Sequence, residues 1–145
     1  MIQITYYVAT SIDGYIAKKN GSVDWLSSVE MEDEDYGYSD FYTSIDGLLM
    51  GRNTFEKIQE SGEWPYGKKA CWVWSSEILK SKPCSVTETN LSPQKIIEKA
   101  KKKGLQNLWL VGGGKLAAEF NYKIYYFHYS CNTGTRYTAN LWHTI

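Results

Sequence analysis

Two stretches decide the reading: LLMGRNTF at residues 48–55 and LWLVGGGKLAAEF at residues 108–120. Each runs from an apolar strand through glycine into a helical pattern. In the first, Gly51 allows a tight turn. The helix start behind it offers backbone N–H groups that have no partner within the helix. Arg52 and Thr54 add a guanidinium fork and a hydroxyl, with Asn53 between them. In the second, Gly112, Gly113 and Gly114 remove every Cβ near the helix start, and Lys115 follows directly. An anionic group can approach such a backbone closely. Neither stretch has the spacing GxxxxGKS, GxxxxGKT or GxGxxG, so the P-loop and Rossmann readings fail.

Strands and helices alternate around these two stretches. Residues 2–10 are rich in β-branched and aromatic side chains and read as a strand. Ser11-Ile12-Asp13-Gly14 and Asn20-Gly21 are turns, with Tyr15-Ile16-Ala17 a short extended piece between them. From Glu30 to Asp40 the chain carries acids and no base. With Tyr36, Tyr38, Phe41 and Tyr42 this predicts a helix with a solvated acidic face. Ile45 to Met50 reads as a short buried strand, and Thr54 to Glu60 as a helix capped by Asn53 or Thr54. Ala70 to Trp74 is a core strand ending in Ser75-Ser76, and a weak strand lies near Val86. Ser92-Pro93 starts a helix with Ile96, Ile97 and Ala100 on its apolar face, and Gly104 stops it. Leu108 to Val111 is a further strand, and Lys115 to Phe120 a last helix. The pattern predicts an α/β sandwich with a largely parallel sheet and right-handed crossovers.

Composition narrows the function. The 145 residues amount to one domain at about 100–200 residues each. Sixteen Lys plus Arg balance sixteen Asp plus Glu, which argues against a nucleic-acid binder working through bulk charge. No apolar run approaches the roughly 18 residues of a membrane span, and the start MIQITYYVAT lacks the pattern of a signal peptide. Cys71, Cys84 and Cys131 are odd in number and form no CxxC, as expected of reduced cysteines in a cytoplasmic protein. His128 and His143 are the only histidines, so neither a His-based triad nor a multi-His metal site is expected.

Two glycine-marked helix starts in one small α/β domain suit a ligand with two anionic groups. Ser75-Ser76 adds a third donor cluster. Ligands of open α/β sheets lie outside the carboxyl ends of the strands, where all three clusters fall. A dinucleotide carrying an extra phosphate meets that description.

The pieces ATSIDGYIA (9–17, counted from Ala9), Trp25-Leu26, MGRNTFE (50–56), WPYGKKACWVWSS (64–76) and LWLVGGGKLAAEF (108–120) resemble the dihydrofolate reductase superfamily. More closely, they resemble the branch related to the C-terminal reductase domain of bacterial riboflavin biosynthesis. The resemblance covers about residues 1–120. It implies a three-layer α/β/α fold and NADPH as hydride donor. It assigns phosphate contacts to Arg52 and Thr54, with Gly51 and Asn53 beside them, and the neighbourhood of the 2′-phosphate to Ser75 and Ser76. It gives the pyrophosphate cradle to Gly112, Gly113 and Gly114, flanked by Val111 and Lys115. It sets Ala9, Ile16 and Ala17 along the nicotinamide pocket. The branch's SIDG pattern makes Asp13 the candidate proton donor, with a water as the alternative.

Folate reductases hold an acid on the first helix, four residues before a Phe. Here that position is Gly37, and Asp35 and Asp40 are out of phase. The resemblance therefore implies a reductase of a small pyrimidine- or pterin-like heterocycle, such as the aminouracil reductase of riboflavin biosynthesis. Two other readings stand beside it: an inactive family member that binds nucleotide weakly or not at all, and a phosphosugar- or nucleotide-binding module.

The resemblance stops near Phe120. Residues 121–145 hold five tyrosines and both histidines, with no aliphatic residue from Tyr125 to Thr138, a poor pattern for a core strand. Read one base later, the codons of Tyr125 to Leu141 can spell the Ile-rich, glycine-containing segment with which the family continues. One reading of this tail is therefore a shifted frame. The other is a divergent C-terminus that forms a strand at Ile124 to Tyr129. Without the family's closing strands one sheet edge is exposed, which favours a homodimer.

Overall fold

The computed structural model describes residues 2–11, 14–24, 35 and 37–120 in full, and residues 123–128 by their backbone. The strands are β1 (Gln3–Thr10), β2 (Gly47–Gly51), β3 (Ala70–Trp74), β4 (Val86–Thr89), β5 (Asn107–Gly112) and β6 (Lys123–His128). The helices are α1 (Tyr38–Ser44), α2 (Arg52–Glu60), α3 (Pro93–Lys102) and α4 (Gly114–Glu119). The sheet order is β4-β3-β2-β5-β1-β6. The pairs β1–β5, β2–β5, β2–β3 and β3–β4 are all parallel. None of the described helices is long and apolar enough to cross a membrane.

The burial pattern explains why the strands read as apolar runs. Leu48, Leu49 and Met50 of β2 are all buried, as are Cys71, Trp72 and Val73 of β3 and Leu108, Trp109 and Leu110 of β5. Successive strand residues point to opposite faces, so unbroken burial means that both faces of the sheet are covered. Phe55 of α2, Ile96 and Ala100 of α3, and Leu116 and Ala117 of α4 supply part of that cover. A chain of tilted and edge-on rings, Phe55–Trp64–Tyr66–Trp109, fills more of it at centroid spacings of 5.0–5.7 Å. Burial pushes the Cys71 thiol up to about 12, which makes it an inert core group. Neither Cys71 nor the exposed Cys84 is in a disulfide.

The chain divides into two compact units. The first is Met1–Tyr6 with Ile45–Lys123, and the second begins with Tyr7–Ser44. Within the second, Tyr7 stacks on Phe41 of α1 at 4.1 Å and lies 6.3 Å from Tyr38. Burial, then the negative charge of Asp35, pushes the Tyr7 hydroxyl up to about 12.

Several boundaries differ from the sequence reading. The acidic helix begins at Tyr38 because the Asp35 carboxylate accepts the N–H groups of Gly37 and Ser39 and caps it there. Residues 30–34 of that reading lie outside the described residues. Ile16 and Ala17 form a bend and not an extended piece. The loop is closed on Ser11, whose N–H donates to the Tyr15 carbonyl and whose Oγ accepts the Tyr15 N–H. Helix α2 starts at Arg52 with Gly51 as N-cap, earlier in the chain than an Asn53 or Thr54 cap would place it. The expected strand at Ile124–Tyr129 corresponds to β6. The remainder of the tail reading, with Cys131 and His143, lies outside the described residues.

Asp46 ties the start of β2 to β5. One carboxylate oxygen accepts the N–H groups of Gln106 and Asn107, each at 2.8 Å. The Asn107 bond, then the Gln106 bond, holds this carboxyl below the usual carboxylate range. A lowered native pKa means that the stabilisation is complete above the ordinary value of 3.8 and is lost as pH falls through the native one. Asp46→Ala should cost about 1–2 kcal/mol at pH 7 after solvent screening, or several degrees of Tm. At about pH 2 the two proteins should melt closer together. A Tm difference that is constant from pH 7 to pH 2 would assign the loss to something other than the carboxylate.

Candidate functional site

The sheet order makes β3, β2 and β5 neighbours, and their parallel direction brings their carboxyl ends to one edge. The chain runs outward from β2 to β3 and β4, then returns to insert β5 on the other side of β2. That reversal is where open α/β sheets bind ligands.

A bulge shapes this edge. Leu49 pairs with Leu110, but Met50 pairs with Gly112, so Val111 is the extra residue on β5. Gly112 therefore ends up opposite Met50, one residue before Gly51. Gly112 has φ +152°, a conformation that L side chains rarely adopt, and the Gly112–Gly113 peptide bond is cis. A Cβ on Gly112 would lie 3.4 Å from Thr54 Oγ1, and one on Gly113 3.6 Å from the same atom. A Cβ on Gly51 would lie 3.7 Å from the Gly113 nitrogen. The two glycine loops, distant in sequence, thus lie close together at one edge of the sheet, with the Thr54 hydroxyl beside Gly112 and Gly113.

Gly51 corrects the sequence reading in one respect. It sits in ordinary extended backbone at φ −79°, so no tight turn demands glycine there. What its missing side chain provides is room beside the Gly112–Gly113 loop.

Arg52 is already engaged. Arg52 Nε donates to Glu56 Oε1 at 2.6 Å, one helical turn along α2, and Nη1 donates to Glu77 Oε2. The two carboxylates raise the Arg52 pKa above its ordinary value. The Ser75 hydroxyl donates to the Glu77 carbonyl at 2.7 Å and accepts the Glu77 N–H at 3.1 Å. Ser75 N–H donates to Thr89 of β4. Ser76, Asn53, Gly114 and Lys115 are exposed. Sequence reasoning missed Glu56 and Glu77. The i,i+4 spacing of Arg52 and Glu56 was a readable signal; nothing local announces Glu77.

A pyrophosphate suits this cradle. Gly51, Gly112 and Gly113 leave backbone bare where a Cβ would stand in contact with the facing loop, and Thr54 contributes a hydroxyl. The α2 start, nine residues of helix with no side-chain cap, adds N–H groups for an anion. Ala9, Ile16 and Ala17 are half-buried and belong to the second unit. Asp13 lies outside the described residues. Asp40 is exposed in the first turn of α1 and Asp35 is used as its cap. Gly37 accepts the N–H of Phe41 through its carbonyl, which fixes the four-residue count back from that Phe.

Residues 3–123 match the family model described as the RibD C-terminal domain. The uncharacterized Bacillus subtilis (strain 168) protein YwjB is 36% identical over 115 residues, covering 79% of this chain and 66% of YwjB. YyaP of the same strain, also uncharacterized, is 31% identical over 128 residues, covering 78% of this chain and 64% of YyaP. The chain thus spans just under two-thirds of the length of these relatives. A solved structure from Shewanella sp. PV-4, ascribed to riboflavin biosynthesis, superposes with TM-score 0.72 at 28% identity, covering 91% of this chain and 78% of that one. Two others share the fold. The Thermotoga maritima diaminohydroxyphosphoribosylaminopyrimidine deaminase/5-amino-6-(5-phosphoribosylamino)uracil reductase has TM-score 0.66 at 15% identity, covering 92% and 46%. Schistosoma mansoni dihydrofolate reductase has TM-score 0.59 at 21%, covering 88% and 72%. With a parallel sheet of dihydrofolate-reductase type, two facing glycine loops and a family match from strand β1 to the start of β6, the chain belongs to the RibD C-terminal domain family of reductase-like proteins.

Proposed function

We propose that the chain is an NADPH-dependent reductase of a small heterocycle, of the class that 5-amino-6-(5-phosphoribosylamino)uracil represents. The observation that carries the reading is the approach of Thr54 to Gly112 and Gly113. It brings two weak sequence signals to one edge of the sheet, which supports reading them as a single anion site. The family match and the Thermotoga neighbour's reductase activity support the substrate class.

The bound dinucleotide would supply a hydride to a C=N or C=O bond of the substrate. The chain's own work is to hold and orient. Backbone at Gly112–Gly114 and the α2 N–H groups take the pyrophosphate, with Thr54 donating its hydroxyl. Arg52, with Ser75 and Ser76 nearby on the loop after β3, takes the 2′-phosphate. On the family resemblance, the nicotinamide contacts would fall to Ala9, Ile16 and Ala17, and proton delivery to Asp13 or a water.

Titration of the full chain with NADPH and NADH, followed by tryptophan fluorescence, tests this reading. NADPH should bind more tightly. Arg52→Ala should lose about tenfold in NADPH affinity, since a charge-assisted phosphate contact is worth about 1.5 kcal/mol or more, while NADH affinity changes little. Equal losses for both cofactors would remove Arg52 from the 2′-phosphate site.

Dihydrofolate should not be turned over at a useful rate, because Gly37 stands where a pterin-binding acid is required. Robust dihydrofolate reduction that disappears in Asp40→Asn would reassign the substrate.

A further inference from the structure

We infer that Glu77 is a specificity-determining residue that competes with the 2′-phosphate for Arg52 and thereby limits the preference for NADPH over NADH. This rests on the proposed reading of the cleft as a dinucleotide site.

The two acids on Arg52 have different origins. Glu56 is a helical neighbour, four residues along α2, and would accompany the arginine in an isolated helix. Glu77 is 25 residues away and arrives through the sheet. Gly51 pairs with Trp74, so the residues that leave β2 and β3 emerge side by side. Arg52 is the first residue after β2, and Glu77 the third after β3. The Ser75 hydroxyl bonds both the N–H and the carbonyl of Glu77, and Ser75 N–H is tied to Thr89. This turn fixes the backbone from which the Glu77 carboxylate reaches Arg52.

The consequence is electrostatic. One guanidinium between two carboxylates leaves the cluster with a net charge of −1. A 2′-phosphate must displace Glu77 or share the guanidinium with it. A ribose 2′-hydroxyl faces no such contest, because it can donate a hydrogen bond to a carboxylate. Glu77 therefore acts against the phosphorylated cofactor and not against its counterpart. The Ser75 hydroxyl, used within the turn, is likewise committed before any ligand arrives.

The Glu77 side chain is 70% exposed, so its hold on Arg52 is screened and the effect is moderate. Glu77→Gln keeps the size and removes the charge. It should tighten NADPH about three- to tenfold and leave NADH within about twofold. Glu77→Lys should move NADPH further in the same direction. Binding of both dinucleotides would be measured by calorimetry on the full chain, with unfolding midpoints as a check that both variants fold. Equal gains for NADPH and NADH would mean a general charge effect and overturn the proposal. So would an unchanged NADPH-to-NADH ratio in both variants. If the wild type binds both dinucleotides and Gly113→Val abolishes that binding, an unchanged ratio overturns the role of Glu77 alone. If neither dinucleotide binds wild type or variants, the dinucleotide reading and the role of Glu77 fall together.

Discussion

Gly113→Val should bind either dinucleotide about a hundredfold more weakly than the parent chain while keeping its fold. Gly113 lies in extended backbone at φ −93° and ψ −179°, a conformation open to any residue. A Cβ there would stand 3.6 Å from Thr54 Oγ1, an ordinary contact, so alanine fits the free protein. Valine's two methyl groups extend beyond that Cβ, into the space that a pyrophosphate needs to reach the backbone. The ligand then loses its close approach to the N–H groups, and hydrogen bonds to a charged group are worth about 1.5–3 kcal/mol each. The graded series is informative: Gly113→Ala should weaken binding moderately and Gly113→Val severely, with similar unfolding midpoints. Wild-type affinity in Gly113→Val would reduce the glycine loop to a structural turn.

The largest stability loss is expected from Leu110→Ala. Leu110 has no exposed surface and stands on β5, between β2 and β1, opposite Leu49. Truncating such a side chain removes its burial energy and leaves a cavity that a tightly packed sheet cannot close. The cost is about 3–4 kcal/mol, or roughly 10 °C in Tm. Ile78→Ala is the matched control, because Ile78 is 81% exposed and its loss should stay within about 0.5 kcal/mol. Thermal unfolding distinguishes the two. Equal small shifts would show that β5 is not at the centre of the core.

Much of this architecture was legible from residues alone because its signals are local. The apolar runs at 45–50, 70–74 and 108–111 read as strands, and residues 48–50, 71–73 and 108–110 within them are buried. Pro93 after Ser92 marked the start of α3, and Gly104, at φ +76°, marked its end. The spacing of the MGRNT and VGGG pieces was enough to recognise the family. Boundaries were harder where a side chain reaches across a turn. Asp35 shortens the acidic helix by capping it at Tyr38, and Ser11 closes a loop where an extended piece was expected.

The candidate site divides along the same line. Glycine, arginine and threonine could be identified by type and position in the sequence, since their chemistry belongs to the residues themselves. Their relation to one another could not. Gly51 looked like a turn residue, yet its backbone is ordinary and its value lies in the close approach of a loop some sixty positions later. Arg52 offered a guanidinium fork, and the structure shows that fork held by Glu56 and Glu77. Local periodicity reports which face of an element is apolar; it carries no record of which strand ends become neighbours. That is decided by the insertion of β5 beside β2 and by the pairing of β2 with β3, which bring separate loops to one edge and set the charge a ligand meets there.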